Sequence, residues 1–375
     1  MSSTFRFASA SVLTLVLLAA AAARADEGTL YRIVEPRKNR LYHGAFPPDP
    51  DYGDEVILPE ILDEYEQAVG RRAVIVYFSH NWYRSRQFPL ETAEWIRQRN
   101  AVPFIRLMLR STARQDRADR KYKLSKIIAG QFDNDLRAWA GAARDFGTPL
   151  IVEYGTECNG RWFAWNGWWN GKGKTKGYGD PEVADGPERF VAAFRRIVDL
   201  MRTEGADNIT WVWHPNATDW PQNKWNRMEN YYPGDDYVDW IAVSAYGPQE
   251  PLEDWGESFR EQIDPCYDRL RELAPDKPIY IAEFGCHEFS VASDTDESLR
   301  ADRWAEAALD DIFARRWPAV FGFTWWNESW ENDDNPEHDT TMRVQDIQAL
   351  AAVFKAQLKA NRKKLQRRPV TRRVS

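Results

Sequence analysis

Two glutamates stand where a carboxylate can do chemistry. Glu157 ends the run Pro149-Leu-Ile-Val-Glu-Tyr-Gly-Thr-Glu157 and opens an aromatic turn, Cys-Asn-Gly-Arg-Trp-Phe-Ala-Trp165. Glu283 ends Pro278-Ile-Tyr-Ile-Ala-Glu283 and precedes Phe284 and Gly285. Each follows an apolar stretch that reads as a buried strand, so each carboxyl is expected at a strand's carboxyl end. Two carboxylates ringed by tryptophans suit glycosidic bond cleavage, one as acid and the other as nucleophile or base. Either glutamate alone would pass for an ordinary polar turn residue. The matching placement of the two favours chemistry.

The elements that must position them follow from short apolar runs and longer amphipathic ones. Strands are expected at residues 41–46, 73–78, 102–109, 150–155, 209–214, 238–246, 278–284 and 320–326. Most are near-continuous apolar runs, as strands covered on both faces should be. Helices are expected at 58–69, 90–99, 132–146, 187–204, 257–273, 297–316 and 344–364. Only the link between the fifth and sixth strands lacks a clear helix. Eight strands alternating with helices predict a (β/α)₈ TIM barrel as a single catalytic domain, with an open doubly wound sheet as the alternative. No Gly-x-Gly-x-x-Gly turn follows any strand, which counts against dinucleotide binding. Glu157 and Glu283 then belong to the fourth and seventh strands and share one barrel mouth.

Composition narrows the classes. Residues 1–25 read as a secretory signal peptide: Arg6, an apolar stretch from Val12 to Ala23, and Ala23-Arg24-Ala25 as the cleavage site. Export, to the periplasm or outside the cell, is therefore expected. The net charge of the chain is −7. The basic tail, 355–375, holds nine Lys and Arg and no acids, so the body at 26–354 is strongly acidic. Nucleic acid is a poor partner for such a body. The tail reads as a solvated, disordered arm, with contact to a membrane surface or an acidic polymer as its functional alternative. Cys158, Cys266 and Cys286 allow one disulfide, Cys158–Cys286 or Cys266–Cys286. The few scattered histidines and unpaired cysteines predict no metal and no cofactor. A monomer is expected.

Aromatic side chains supply the remaining signal. The chain has 18 tryptophans. Sugar rings present apolar faces that lie flat on aromatic rings. Trp82, Trp162, Trp165, Trp168, Trp169, Trp325, Trp326 and Trp330 end or follow strands on the expected active face and are candidates to line a groove. Trp139, Trp304 and Trp317 sit in helices and read as packing residues. His214 closes the fifth strand as a hydroxyl binder or a satisfied structural histidine.

Glu157-Cys-Asn-Gly-Arg-Trp-Phe-Ala-Trp165 resembles the acid/base motif of glycoside hydrolase family 26. The resemblance extends through Ala129-Gly-Gln-Phe-Asp133, Trp139, Tyr231-Tyr-Pro-Gly-Asp-Asp-Tyr-Val-Asp-Trp240 and Lys277-Pro-Ile-Tyr-Ile-Ala-Glu-Phe-Gly285. It implies a clan A barrel and a retaining mechanism, with Glu157 as general acid/base and Glu283 as nucleophile. Tyr246 would hydrogen-bond the nucleophile. Trp162 and one of Trp325 or Trp326 would line the cleavage subsite. The implied substrates are β-mannans, with mixed-linkage β-glucan and β-1,3-xylan in some branches. One position departs: mannanases of the family usually carry histidine before the acid, and here it is Thr156. That puts the sugar in doubt more than the reaction. The expected activity is endo-hydrolysis of internal β-1,4 bonds in a mannan-type polysaccharide. The alternatives are an endo-β-1,3-1,4-glucanase, an exopolysaccharide hydrolase, and a non-catalytic carbohydrate-binding barrel.

Overall fold

The structure, a computed structural model, describes residues 29–374. The expected signal peptide lies outside the described residues. Eight parallel strands close into a barrel: β1 (Tyr42–Phe46), β2 (Ile75–Asn81), β3 (Val102–Met108), β4 (Leu150–Tyr154), β5 (Ile209–Trp213), β6 (Trp240–Tyr246), β7 (Ile279–Gly285) and β8 (Val320–Trp326). Each pairs with its neighbours in chain order, and β8 pairs with β1. Apart from the half-buried Tyr246, every residue of these strands is buried, which explains their continuous apolar runs. Each of the eight expected segments overlaps a barrel strand, those at 73–78 and 278–284 stopping short of the strand ends at Asn81 and Gly285.

Among the described residues, seven helices of 9 or more residues cover the outside: α1 (Pro59–Val69), α2 (Leu90–Gln98), α3 (Asp133–Phe146), α4 (Asp185–Thr203), α5 (Phe259–Leu273), α6 (Ala301–Ala314) and α7 (Gln348–Ala360). Their boundaries follow local chemistry. α5 opens on a capping box in which Ser258 accepts from the Glu261 backbone and Glu261 from that of Ser258. Gly70 and Gly147 end α1 and α3 in the left-handed conformation. Between β5 and β6 there are only the 3-10 turns Lys224–Asn226 and Met228–Tyr231, as the sequence suggested.

The barrel interior is filled by aromatic side chains. Tyr280 crosses it beside Phe104 and donates to or accepts from Thr324 Oγ1 at 2.8 Å. It fits because β1 and β8 carry glycine there. A Cβ on Gly44 would lie 2.5 Å from the Tyr280 hydroxyl, and one on Gly322 2.4 Å from its ring.

One expectation is corrected, and one open possibility is resolved. The tail does not run free after α7: Val370–Arg373 pairs antiparallel with Tyr31–Val34, Tyr31 opposite Arg373. Backbone hydrogen bonding outweighs the charge of the segment. No disulfide joins the cysteines. Cys158, Cys266 and Cys286 are buried and free, with the Cys286 thiol donating to the Leu299 carbonyl at 3.1 Å. Among the described residues, no helix is long and apolar enough to cross a membrane.

Candidate active site

Glu283 lies within β7, next to a break in register. Ile281 faces Val243 of β6 and Glu283 faces Ser244, so Ala282 is an extra residue. Such a bulge re-aims the side chain that follows it. Glu157 lies three residues beyond β4, with its backbone at φ 48°, a left-handed conformation that costs an L-residue about 1–2 kcal/mol. Gly155 precedes it at φ 69°, where a Cβ would meet the Phe190 ring at 2.4 Å. Two left-handed residues in three turn the chain sharply and bring Glu157 back over the barrel mouth.

The turn is held from all sides. Asn159 accepts from the Asn216 amide at 2.8 Å and donates to Asp219 Oδ1 at 2.9 Å. Asn166 donates to the Cys158 carbonyl at 2.8 Å, and Trp165 to that of Thr156 at 2.8 Å. Asn159 thus shapes the loop. Trp165 is buried against Phe163, with ring centroids 4.6 Å apart, and supports the turn instead of facing a groove.

Both carboxyls are nearly buried, Glu157 at 7% and Glu283 at 3% exposure. Trp162 donates its indole N–H to Glu157 Oε2 at 2.6 Å. Tyr246 donates to Glu283 Oε2 at 2.8 Å, as expected for it. Tyr77 approaches Glu283 Oε1 at 3.0 Å and Glu153 Oε1 at 2.6 Å, sharing its one proton between them. Arg106 lies 3.5 Å from Glu283 and 3.6 Å from Glu153. Below Glu157, His214 Nδ1 meets Glu153 Oε2 at 2.7 Å and Thr156 Oγ1 at 3.0 Å, and its Nε2 meets Ser244 Oγ at 2.8 Å.

Burial pushes the Glu157 carboxyl up to about 7, and the negative charge of Glu283 pushes the same way, against His214, Ser244 and Trp162. Burial works against a charged His214, but Glu153, Glu283 and Glu157 outweigh it and hold its pKa above the usual value. Glu328, which follows β8, is raised to about 8 by burial and by Asp54, with Arg106 opposing. A carboxyl that keeps its proton can both donate to and accept from a sugar hydroxyl.

The groove candidates divide by where their strand ends point. Trp326 reaches the site, stacked on Phe46 at 3.8 Å with the Arg106 guanidinium 5.0 Å from its ring. Its neighbour Trp325 points outward, buried between Phe284, Trp304 and Phe354, and donates to the Met342 carbonyl. Trp82 packs on Tyr122 and Phe132 behind the loops. His214 is fully buried, so it positions carboxylates instead of binding substrate. Trp168 and Trp169 are half-buried, with Lys172 3.8 Å above the Trp168 ring. Trp220 was not anticipated; it is half exposed, and its carbonyl accepts from the Arg161 amide at 2.9 Å.

Glu153, Arg106 and Tyr77 were also missed. A signal was present: Glu153 and Arg106 are charged residues inside otherwise apolar strands, where burial demands partners. The ligand atoms of Glu153, His214 and Glu283 lie within 4.8 Å of one another. Their hydrogen bonds and charges account for that closeness.

Chemically, the arrangement offers a carboxyl that holds its proton to near neutrality, facing a second carboxylate braced by two tyrosines and an arginine. Comparison with known proteins agrees. A family model described as glycosyl hydrolase family 26 matches residues 118–266. Endoglucanase H of Acetivibrio thermocellus is 28% identical over 218 residues, covering 57% of this chain and 21% of that protein. The mannan endo-1,4-β-mannosidase A and B of Caldalkalibacillus mannanilyticus is 28% identical over 180 residues, covering 48% and 28%. The chain therefore spans about a quarter of the length of these relatives. In fold, it resembles the β-mannanase from Bacteroides ovatus, with TM-score 0.57, 16% identity and coverage of 88% of this chain and 90% of that one. The matched segment, together with the closed barrel and the carboxyl pair at its mouth, supports a place for this chain in glycosyl hydrolase family 26.

Proposed function

We propose that the protein is an exported retaining endo-β-glycosidase that cuts internal β-1,4 bonds of a mannan-type polysaccharide. The observation that carries the reading is the charge state of the site. Glu157 keeps its proton up to about pH 7, while Glu283 beside it is held by Tyr246, Tyr77 and Arg106. That division of labour is what an acid and a nucleophile require.

In the first step, the Glu283 carboxylate attacks the anomeric carbon as the C–O bond breaks. The Glu157 proton moves to the departing glycosidic oxygen, and the aglycone leaves as an alcohol. In the second step, Glu157, now a carboxylate, takes a proton from water. The resulting hydroxide attacks the anomeric carbon and releases Glu283. Tyr246 and Tyr77 hold the two oxygens of Glu283 so that one lone pair faces the sugar. Trp326 offers an apolar face beneath it. The proton on Glu157 is restored when the second step ends, so each turnover starts from the same state.

A relative named for mannan and another named endoglucanase favour β-1,4-linked backbones, with mixed-linkage β-glucan as the second reading. Export rests on residues 1–25, and N-terminal sequencing of the mature protein tests it. The activity is tested on mannan, glucomannan, lichenan and β-1,3-xylan, with product length and the first-formed anomer followed by NMR. Mixed oligomers of retained β configuration are expected early. α-Anomers would overturn retention, and release of monomer from the start would overturn endo action. A Glu283→Gln variant should lose at least about 10³-fold in kcat; full activity would remove Glu283 from its role.

A further inference from the structure

The loop after β3 is basic in an otherwise acidic body. Residues 110–123 hold six Lys and Arg against two Asp. Both acids are already engaged. Asp119 is buried and accepts from the backbone of Ser111, Lys121 and Tyr122 at 2.6, 2.7 and 3.0 Å. Asp116 faces Arg161 at 3.4 Å, and its amide donates to the Trp162 carbonyl at 2.9 Å. The loop is therefore pinned to the same turn that carries the acid.

Arg114, Arg117 and Arg120 are left exposed, and among the described residues no ion pair involves them. With Lys121 and Trp162 they line a cavity of about 610 Å³. Trp162 forms the wall between that cavity and Glu157, to which it donates. The volume accommodates a sugar unit with a substituent. Guanidinium groups match a carboxylate or sulfate in charge and in their paired donors. Free cations in a concave wall also focus potential that the acidic body elsewhere would repel.

We propose that this cavity is a subsite for an anionic sugar, so that the substrate is a polysaccharide bearing carboxylate or sulfate groups near the scissile bond. The inference rests on the glycosidase reading above and narrows its substrate class. The backbone lies over Trp326 between Glu157 and Glu283, while the acidic substituent projects toward Arg114, Arg117 and Arg120.

The test compares kcat/KM on glucomannan with that on partly carboxymethylated and partly sulfated glucomannan at low ionic strength. The anionic forms should be preferred about tenfold. The preference should collapse toward one at about 0.5 M salt, where exposed charges are screened. It should also collapse in an Arg114→Gln, Arg117→Gln, Arg120→Gln variant. A stronger preference for the carboxylated than the sulfated polymer assigns the site to carboxylate, and the reverse to sulfate. Equal rates on neutral and anionic polymers would overturn the subsite while leaving the glycosidase reading intact. If no polymer is cut, the glycosidase reading fails, and calorimetric binding to a Glu157→Gln protein decides the subsite. Tighter binding of an anionic glucomannan upholds it, and equal affinity refutes it.

Discussion

Glu153, Glu157, Glu283, Arg106 and His214 share the floor of the site, and their arrangement decides which carboxyl keeps its proton. Arg106 faces Glu153 and Glu283, and His214 faces Glu153. Among the described residues no ion pair involves Glu157; the Trp162 indole donates to it, and burial and Glu283 outweigh the opposing pull of His214. A buried acid without a paired cation holds its proton, so activity should fall as pH rises through about 7, and a pH–kcat/KM profile reads that limb. An alkaline limb unmoved by Glu157→Gln would belong to another group. Stability should report the same group with a definite sign. The folded pKa of about 7 lies above the ordinary 4.5, so folding takes up a proton between these values. Stability from this group falls as pH rises through that window, by up to about 3 kcal/mol. Glu157→Gln should therefore melt several degrees higher than the native protein at pH 8, with the gap closing toward pH 4. Residue type and place in the run made Glu157 and Glu283 legible. For the tryptophans, only place was legible. Trp325 and Trp326 are successive on one strand and must point to opposite faces, and nothing local says which one faces inward.

The eight strands were legible because burial on both faces writes itself as an unbroken apolar run, and the helices between them as amphipathic ones. What lay beyond reading was aim. The extra residue at Ala282 and the left-handed backbone of Glu157 exist only through pairing and tertiary contact, yet they turn both carboxyls toward one point. The Glu153 network was hidden for a related reason. Its members come from β2, β3, β4 and the end of β5, and closure of the barrel alone makes them neighbours. Glu153→Gln removes the anion that faces both His214 and Arg106. The loss of one partner from a buried pair costs about 3 kcal/mol. It should also slacken Tyr77 against Glu283, lowering kcat more than it raises KM. A variant that melts lower with unchanged kcat would confine Glu153 to stability. Gly155→Ala tests the turn itself. With φ at 69° and Phe190 at 2.4 Å from the new Cβ, it should lose activity by displacing Glu157, whereas Gly141→Ala, in an open position on α3, should not.

At the scale of the molecule, the two faces of the barrel have separate tasks. The carboxyl ends of the strands carry the site, and the opposite end is closed by the ribbon of Tyr31–Val34 and Val370–Arg373. Arg32 of that ribbon donates to the Asp207 carbonyl at 2.6 Å and lies 3.7 Å from Asp239, both ahead of strand starts. Thr210, at the start of β5, donates to the Ile33 carbonyl at 3.0 Å. Tyr42, at the start of β1, donates to Val34 and accepts from the Val370 amide, each at 2.9 Å. The basic tail is thus a structural plug whose charges lie across the barrel from Glu157 and Glu283. In barrels of this kind, that end governs stability and the opposite one catalysis. Deleting residues 367–375 takes the Val370 amide from the Tyr42 hydroxyl and the paired strand from Tyr31–Val34. The expected result is a melting temperature several degrees lower, with kcat on the preferred polymer within about twofold of native at 25 °C, since no side chain of the site touches the ribbon. Thermal melting and initial rates on the same preparation check both halves. A truncated protein with native stability but impaired turnover would assign the tail to substrate handling instead.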